Sequence, residues 1–144
     1  MAPRDTGTGW VFEQMVVPAL ERGGYSYQKQ YRAGIKPDGR PYIADLLVTD
    51  LRVNPNRKLL VSLKWQQTSG TAEQKVPYEV ITLLALLDTG NYHGAYLVLG
   101  GGGWSPDLKR FYTGGGLATY IPGASRIRIL DLYDFIALAN NRQL

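Results

Sequence analysis

The amino-acid sequence predicts a three-layer α/β domain with a mixed sheet flanked by helices. Three observations carry that prediction. The periodicities run helix, three strands, helix, strand, an irregular stretch, strand, helix, which is a layered arrangement of sheet and helices. At 144 residues the chain is long enough for one domain with a single core. The composition, 44% hydrophobic and 19% charged, is that of a folded globular protein and argues against global disorder.

The elements follow in order. Residues 1–8 are small and polar and are expected to fray. From Gly9 to Arg22, Trp10, Val11, Met15, Val16, Ala19 and Leu20 keep a helical period, with a kink expected at Pro18 and a stop at Gly23-Gly24. Alternation from Tyr25 to Tyr31 predicts a strand, and Lys36-Pro37-Asp38-Gly39-Arg40-Pro41 a turn. Strands are expected over 42–49 and 58–66, joined by a turn at Asn54-Pro55-Asn56-Arg57. Thr71 and Gln74 have capping-box spacing, with Pro77 as the alternative helix start, and Val76–Leu87 reads as a buried helix. Ala95–Leu99 is expected as a central strand, Gly100–Gly103 as a turn, Arg126–Leu130 as a short strand and Asp131–Asn140 as an amphipathic helix.

The strand at 58–66 carries the chemistry. Residues two apart share a face, so Ser62, Lys64 and Gln66 point one way and Val61, Leu63 and Trp65 the other. A lysine in so apolar a strand is costly to bury without an anionic partner. One strand earlier, Asp45 lies in the apolar run Ile43-Ala44-Asp45-Leu46-Leu47-Val48. An acid and a lysine on neighbouring strands are the elements of a metal-dependent phosphodiesterase site: the carboxylate holds a divalent cation and the lysine orients or deprotonates water, or stabilises charge at phosphorus. The alternative is a structural ion pair between strands. Asp38 competes with Asp45, but its Pro-Asp-Gly setting predicts a residue that caps its own turn.

Other candidates surround this pair. Glu13 falls among apolar residues on the first helix and can reach the metal site, or lie exposed. Gln66 shares the face of Lys64. Glu73 and Glu79 each offer a second metal carboxylate, Glu73 being expected as the nearer. Gly100-Gly101-Gly102-Gly103 lacks the Gly-Lys-Ser/Thr ending of a nucleotide-binding loop and is expected to be only a turn. His93, the single histidine, is expected at the surface. Lys109 and Arg110, with Arg126 and Arg128, are candidate contacts to DNA phosphates.

Composition narrows the chemistry further. With no cysteine and one histidine, thiolate zinc sites and multi-histidine centres are excluded, so a metal held by carboxylates and carbonyls points to Mg²⁺ or Mn²⁺. A net charge of +4 favours a polyanionic partner. No long apolar run is present and Met1-Ala2-Pro3-Arg4 starts no signal segment, so no membrane association and a cytoplasmic location are expected.

Glu13 on a first helix, Asp45 on a strand, Ser62-Leu63-Lys64 on the next strand and a helix after it resemble the PD-(D/E)xK nuclease superfamily. The stretch from Lys64 to Tyr78 is similar to a restriction-endonuclease-like subset in which the lysine strand is followed by Ser-Gly-Ser/Thr-Ala/Val-Glu/Asp-x-Lys. Here that segment reads Ser69-Gly70-Thr71-Ala72-Glu73-Gln74-Lys75. The resemblance covers about residues 9 to 99 and implies a restriction-endonuclease-like αβββαβ core and Mg²⁺-dependent hydrolysis of DNA phosphodiester bonds. It makes Asp45 a metal ligand and Lys64 the water-activating or charge-stabilising residue. Two positions depart from the pattern: Ser62 stands where the strand acid is expected, and Ala44 where a proline precedes the first acid. Some restriction enzymes of this superfamily have serine there and bring the acid from the following helix, a part that Glu73 or Glu79 can take.

The resulting expectation is a small DNA endonuclease, a homodimer, that attacks phosphate with metal-activated water. Its catalytic residues are Asp45, Lys64, Glu13, Gln66 and Glu73; its metal ligands are Asp45, Glu73 and Glu13; its DNA contacts are Lys109, Arg110, Gln67 and Ser69. A Holliday-junction-resolving or homing nuclease with the same site, a non-catalytic DNA-binding module, and a structural or assembly protein with neither DNA nor metal affinity are the rival readings.

Overall fold

A computed structural model describes residues 8–144. Its five strands lie in one sheet in sequence order: β1 (Ser26–Ile35), β2 (Pro41–Asp50), β3 (Arg57–Trp65), β4 (Gly94–Gly100) and β5 (Ile127–Asp131). β1, β2 and β3 are antiparallel neighbours, while β3, β4 and β5 run parallel, so the sheet is mixed as expected. The parallel step from β3 to β4 needs a long connection. The helix α3 (Val76–Leu87) supplies it.

The described residues begin with three contiguous helical pieces. The α-helical turns α1 (Thr8–Val11) and α2 (Val17–Arg22) flank a π-helical turn, Phe12–Val16. Pro18 lies in the first turn of α2, directly after the π-helical turn, and its missing N–H leaves one carbonyl of that preceding turn without its bond. The expected kink is thus resolved as a wide turn immediately before the proline. Of residues 1–8, expected to fray, 1–7 lie outside the described residues, and Thr8 begins α1 instead.

Each face of the sheet buries its own core. On one side α3 packs Val76, Val80, Leu83, Leu84 and Leu87 against Ala44, Leu47, Leu60, Leu97 and Leu99. On the other, the first helical pieces and α5 (Leu132–Asn140) pack Val16, Leu20 and Phe135 against Leu46, Val48, Leu59, Val61 and Val98. Two covered faces make β4 buried throughout Ala95–Gly100, as a central parallel strand should be. The irregular stretch before β5 holds a helix absent from the sequence reading, α4 (Pro106–Thr113), whose Tyr112 joins the α3-side core.

One irregularity positions the site. Along β2, Tyr42 and Ala44 belong to the α3-side core, but Leu46 and Val48 belong to the opposite one. Strict alternation keeps all four on one face, so the strand changes phase at Asp45. Opposite it on β1, between the pairs Lys29–Leu46 and Tyr31–Ala44, Gln30 takes a left-handed backbone, φ 52°. The ladder between β2 and β3 stops at Leu46–Val61, so the two strands part just where Asp45 and Ser62 lie.

Candidate active site

The fork between β2 and β3 opens a cleft of about 270 Å³ lined by Lys36, Pro41, Tyr42, Ile43, Asp45, Ser62, Leu63, Lys64 and Glu79. Asp45 stands at its apex. With the ladder broken, its Oδ2 accepts the Leu63 N–H at 2.7 Å, replacing the lost backbone partner. Burial raises the Asp45 carboxyl above its ordinary pKa; the Leu63 N–H and the Lys64 charge pull it down, and the Glu79 charge pushes it up.

The second carboxylate comes from the helix. Glu79 lies in the first turn of α3, where a negative charge suits the helix dipole, and it reaches across to β3. Its Oε2 accepts the Ser62 hydroxyl at 2.7 Å and the Tyr42 hydroxyl as well. Its Oε1 faces Lys64 Nζ at 3.4 Å. One oxygen is thereby anchored by two hydroxyls, and the other is left toward the lysine and the cleft. Burial, then the Glu79 charge, drives the Tyr42 hydroxyl far above the ordinary tyrosine range, so it stays a proton donor to Glu79. Lys64, half-buried as the strand pattern implied, therefore has the anionic partner it requires.

Glu73 and Gln66, expected beside Lys64, are elsewhere. The nearer glutamate in sequence is the farther one in space, because Glu73 lies on a 3₁₀ turn, Ala72–Lys75, before α3 begins. Its carboxylate accepts the Ser105 N–H at 2.9 Å, the Ser105 hydroxyl at 2.8 Å and the Gln66 amide at 3.0 Å. The two Ser105 donors, with Gln66 behind them, hold its pKa below the ordinary glutamate value. Gln66 is buried, and its amide is spent on Glu73 and on the Gly103 carbonyl. These two residues brace the end of β3 against the glycine run and are corrected from the catalytic set to a supporting network.

The remaining expectations sort by position. Glu13 is exposed and paired with Lys29 on β1, and it does not line the cleft, so the carboxylate expected from the first helix is not brought to Asp45. Asp38 caps its own turn, accepting the Arg40 N–H, and Arg40 holds its carboxyl down at about 2. Gly101 and Gly103 are there for close packing: an added Cβ would lie 2.4 Å from the Gln66 carbonyl oxygen and from the Thr68 carbonyl carbon. His93 is exposed, its Nδ1 accepting the Lys58 N–H. Lys109 is paired with Asp131 at 2.5 Å and Arg110 with Asp107, whereas Gln67 and Ser69 are exposed on the loop after β3.

A family model for the PD-(D/E)XK nuclease superfamily domain matches residues 4–143. The chain belongs to the PD-(D/E)XK nuclease superfamily. A search of curated proteins finds no match. Among solved structures, a protein of unknown function designated AF1548 is similar over 81% of this chain and 54% of its own, at 10% identity and a TM-score of 0.44. The chain thus spans about half the length of that relative.

PD-(D/E)XK nucleases usually use divalent metals, and the donor set here can be tested against one. Asp45 and Glu79 supply carboxylate oxygens that open into one polar cleft. Among the described residues no group of three or more acids or histidines is gathered. Two hard oxygen donors with room for water fit Mg²⁺, which keeps much of its hydration, and not a fully caged cation. Sequence reasoning passed over Tyr42 and Lys36. Strict alternation puts Tyr42 on the face opposite Asp45, and nothing in the sequence marks the phase change. Lys36 read only as part of a turn.

Proposed function

We propose that this chain is a DNA endonuclease that hydrolyses phosphodiester bonds at the Asp45–Glu79–Lys64 cluster, with Mg²⁺ or Mn²⁺ held by the two carboxylates. The observation that carries the reading is Glu79, which sets a carboxylate against Ser62 and Lys64 where the superfamily pattern expects the strand acid. When bound, the cation supplies acidity to water and neutralises charge on the phosphate. Asp45 and Glu79 are the residues that would hold that cation. Ser62 and Tyr42 fix Glu79 by taking its other oxygen. Lys64 directs an attacking water or balances charge at phosphorus from the same face of β3. The described residues of each chain hold one such cluster, so a double-strand cut takes two copies, as in a homodimer, or two successive events.

The test is cleavage of supercoiled plasmid and of branched DNA with Mg²⁺ or Mn²⁺. Wild type should give metal-dependent nicked or linear product, linear product without a nicked intermediate marking paired sites. Lys64→Ala, Asp45→Asn and Glu79→Gln should each lower the rate by about 100-fold or more, the usual scale for losing one charge-stabilising group. Glu73→Gln should retain most of the activity. Intact DNA in every lane, on both substrates and with both metals, would overturn the proposal.

A further inference from the structure

The cleft contains a cation that the proposed chemistry leaves unused. Four charged side chains line it: Asp45, Glu79, Lys64 and Lys36. Lys64 faces Glu79, and Asp45 takes the Leu63 N–H. Among the described residues, Lys36 has no ion-pair partner. A half-buried lysine at the wall of an acid-bearing cleft is an open position for an anion.

Its placement is built. The Lys36 N–H bonds the Arg40 carbonyl at 2.8 Å, and the Lys36 carbonyl accepts the Gly39 N–H at 2.9 Å, so the neck of the β1–β2 hairpin is closed at this residue. Within the hairpin Asp38 and Arg40 are paired, which fixes the turn that Lys36 closes.

We infer that Lys36 is a substrate-binding residue that contacts a non-bridging phosphate oxygen of the nucleic-acid backbone beside the Asp45–Glu79–Lys64 cluster. The inference rests on the nuclease reading above and names a contact that the superfamily pattern does not assign. A backbone contact of this kind positions the strand without reading its sequence. It should act on substrate affinity and leave the chemical step to the three residues at the fork.

The test compares wild type, Lys36→Gln, Lys36→Arg and Lys58→Gln. Lys58 is exposed near the start of β3, about 20 Å from Lys64 at ~3.3 Å per residue. Binding of a labelled DNA duplex is followed in EDTA across KCl concentrations, and cleavage is followed with Mg²⁺. Lys36→Gln should weaken binding to unrelated sequences alike and flatten the plot of log affinity against log salt by about 0.9, the signature of one lost phosphate contact. It should raise KM, keep kcat near wild type and leave the Mg²⁺ dependence unchanged. Lys36→Arg should restore the slope, and Lys58→Gln should not change it. If wild type binds and cleaves but Lys36→Gln keeps the wild-type slope and KM, this inference falls and the nuclease reading stands. If wild type neither binds nor cleaves DNA, both fall together.

Discussion

Removing the Tyr42 hydroxyl should expose how firmly the helix-borne carboxylate is held. Tyr42 is buried and donates to Glu79 Oε2, which also accepts Ser62 at 2.7 Å; Lys64 lies 3.4 Å from the other oxygen. Tyr42→Phe keeps the ring, so no sizeable cavity forms and the loss is confined to one hydrogen bond to a charged acceptor. Such bonds contribute about 1.5–3 kcal/mol net. Glu79 keeps two partners, so the lower part of that range applies, about 1.5–2 kcal/mol. For a chain of 144 residues that corresponds to a fall in Tm of roughly 3–8 °C. The assay is urea unfolding of the metal-free protein as a double-mutant cycle with Glu79→Gln. The side-chain amide introduced by that substitution is neutral, so Tyr42→Phe should cost about 1 kcal/mol less in that background than in wild type. Equal costs in the two backgrounds, within about 0.3 kcal/mol, would refute the claim that Tyr42 stabilises a charged Glu79.

Two further outcomes follow from buried polar groups. Burial raises the Asp45 pKa in the native state, so its contribution to stability is full below the unfolded value near ~3.9 and is lost as pH rises through the folded pKa. Asp45→Asn should therefore unfold at higher urea than wild type at pH 7 in EDTA, with a difference that shrinks toward pH 4; a difference that is constant or grows as pH falls contradicts the assignment. Thr82 on α3 is buried, and its hydroxyl has no hydrogen-bond partner among the described residues. Thr82→Val should raise stability by about 1 kcal/mol, read as a higher urea midpoint at unchanged m-value, whereas destabilisation would reveal a partner for that hydroxyl.

The layers of the fold were legible because each helix and strand carries its own period. The run Val76–Leu87 is too apolar to be anything but buried, and β4 has no polar side chain but Tyr96 to offer either face. Helix α4 was not, because Pro106–Thr113 is short and mostly polar and buries only Tyr112 fully. Within the candidate site, the meeting of Asp45 and Lys64 at one cleft was legible from single charges in apolar strands. The choice between Glu73 and Glu79 was not. It depends on where α3 starts, and Pro77 rather than Thr71 marks that start, with the 3₁₀ turn directing Glu73 toward Ser105 and Glu79 toward β3. A sequence pattern measures distance along the chain, while reach from a helix depends on which side its first turn presents.

The phase change at Asp45 links all the parts of this site. Without it, alternation from Leu46 and Val48 would put Tyr42 on the face covered by the first helices, away from α3 and Glu79. With it, Tyr42 turns beneath α3 while Asp45 lies between the parting strands, within reach of the Leu63 N–H. The left-handed backbone of Gln30 across the ladder is the local distortion that accompanies the change, and such a conformation costs a non-glycine residue roughly 1–2 kcal/mol. Ser62 and Glu79 are then alternatives, not independent choices. A carboxylate on the strand at position 62 would occupy the space where Glu79 now accepts the serine hydroxyl, and two carboxylates in contact cannot both stay ionised at ordinary pH. A carboxylate delivered from α3 meets here a small hydroxyl donor on β3, a tyrosine turned inward on β2 and a lysine two residues along β3, all around one oxygen pair.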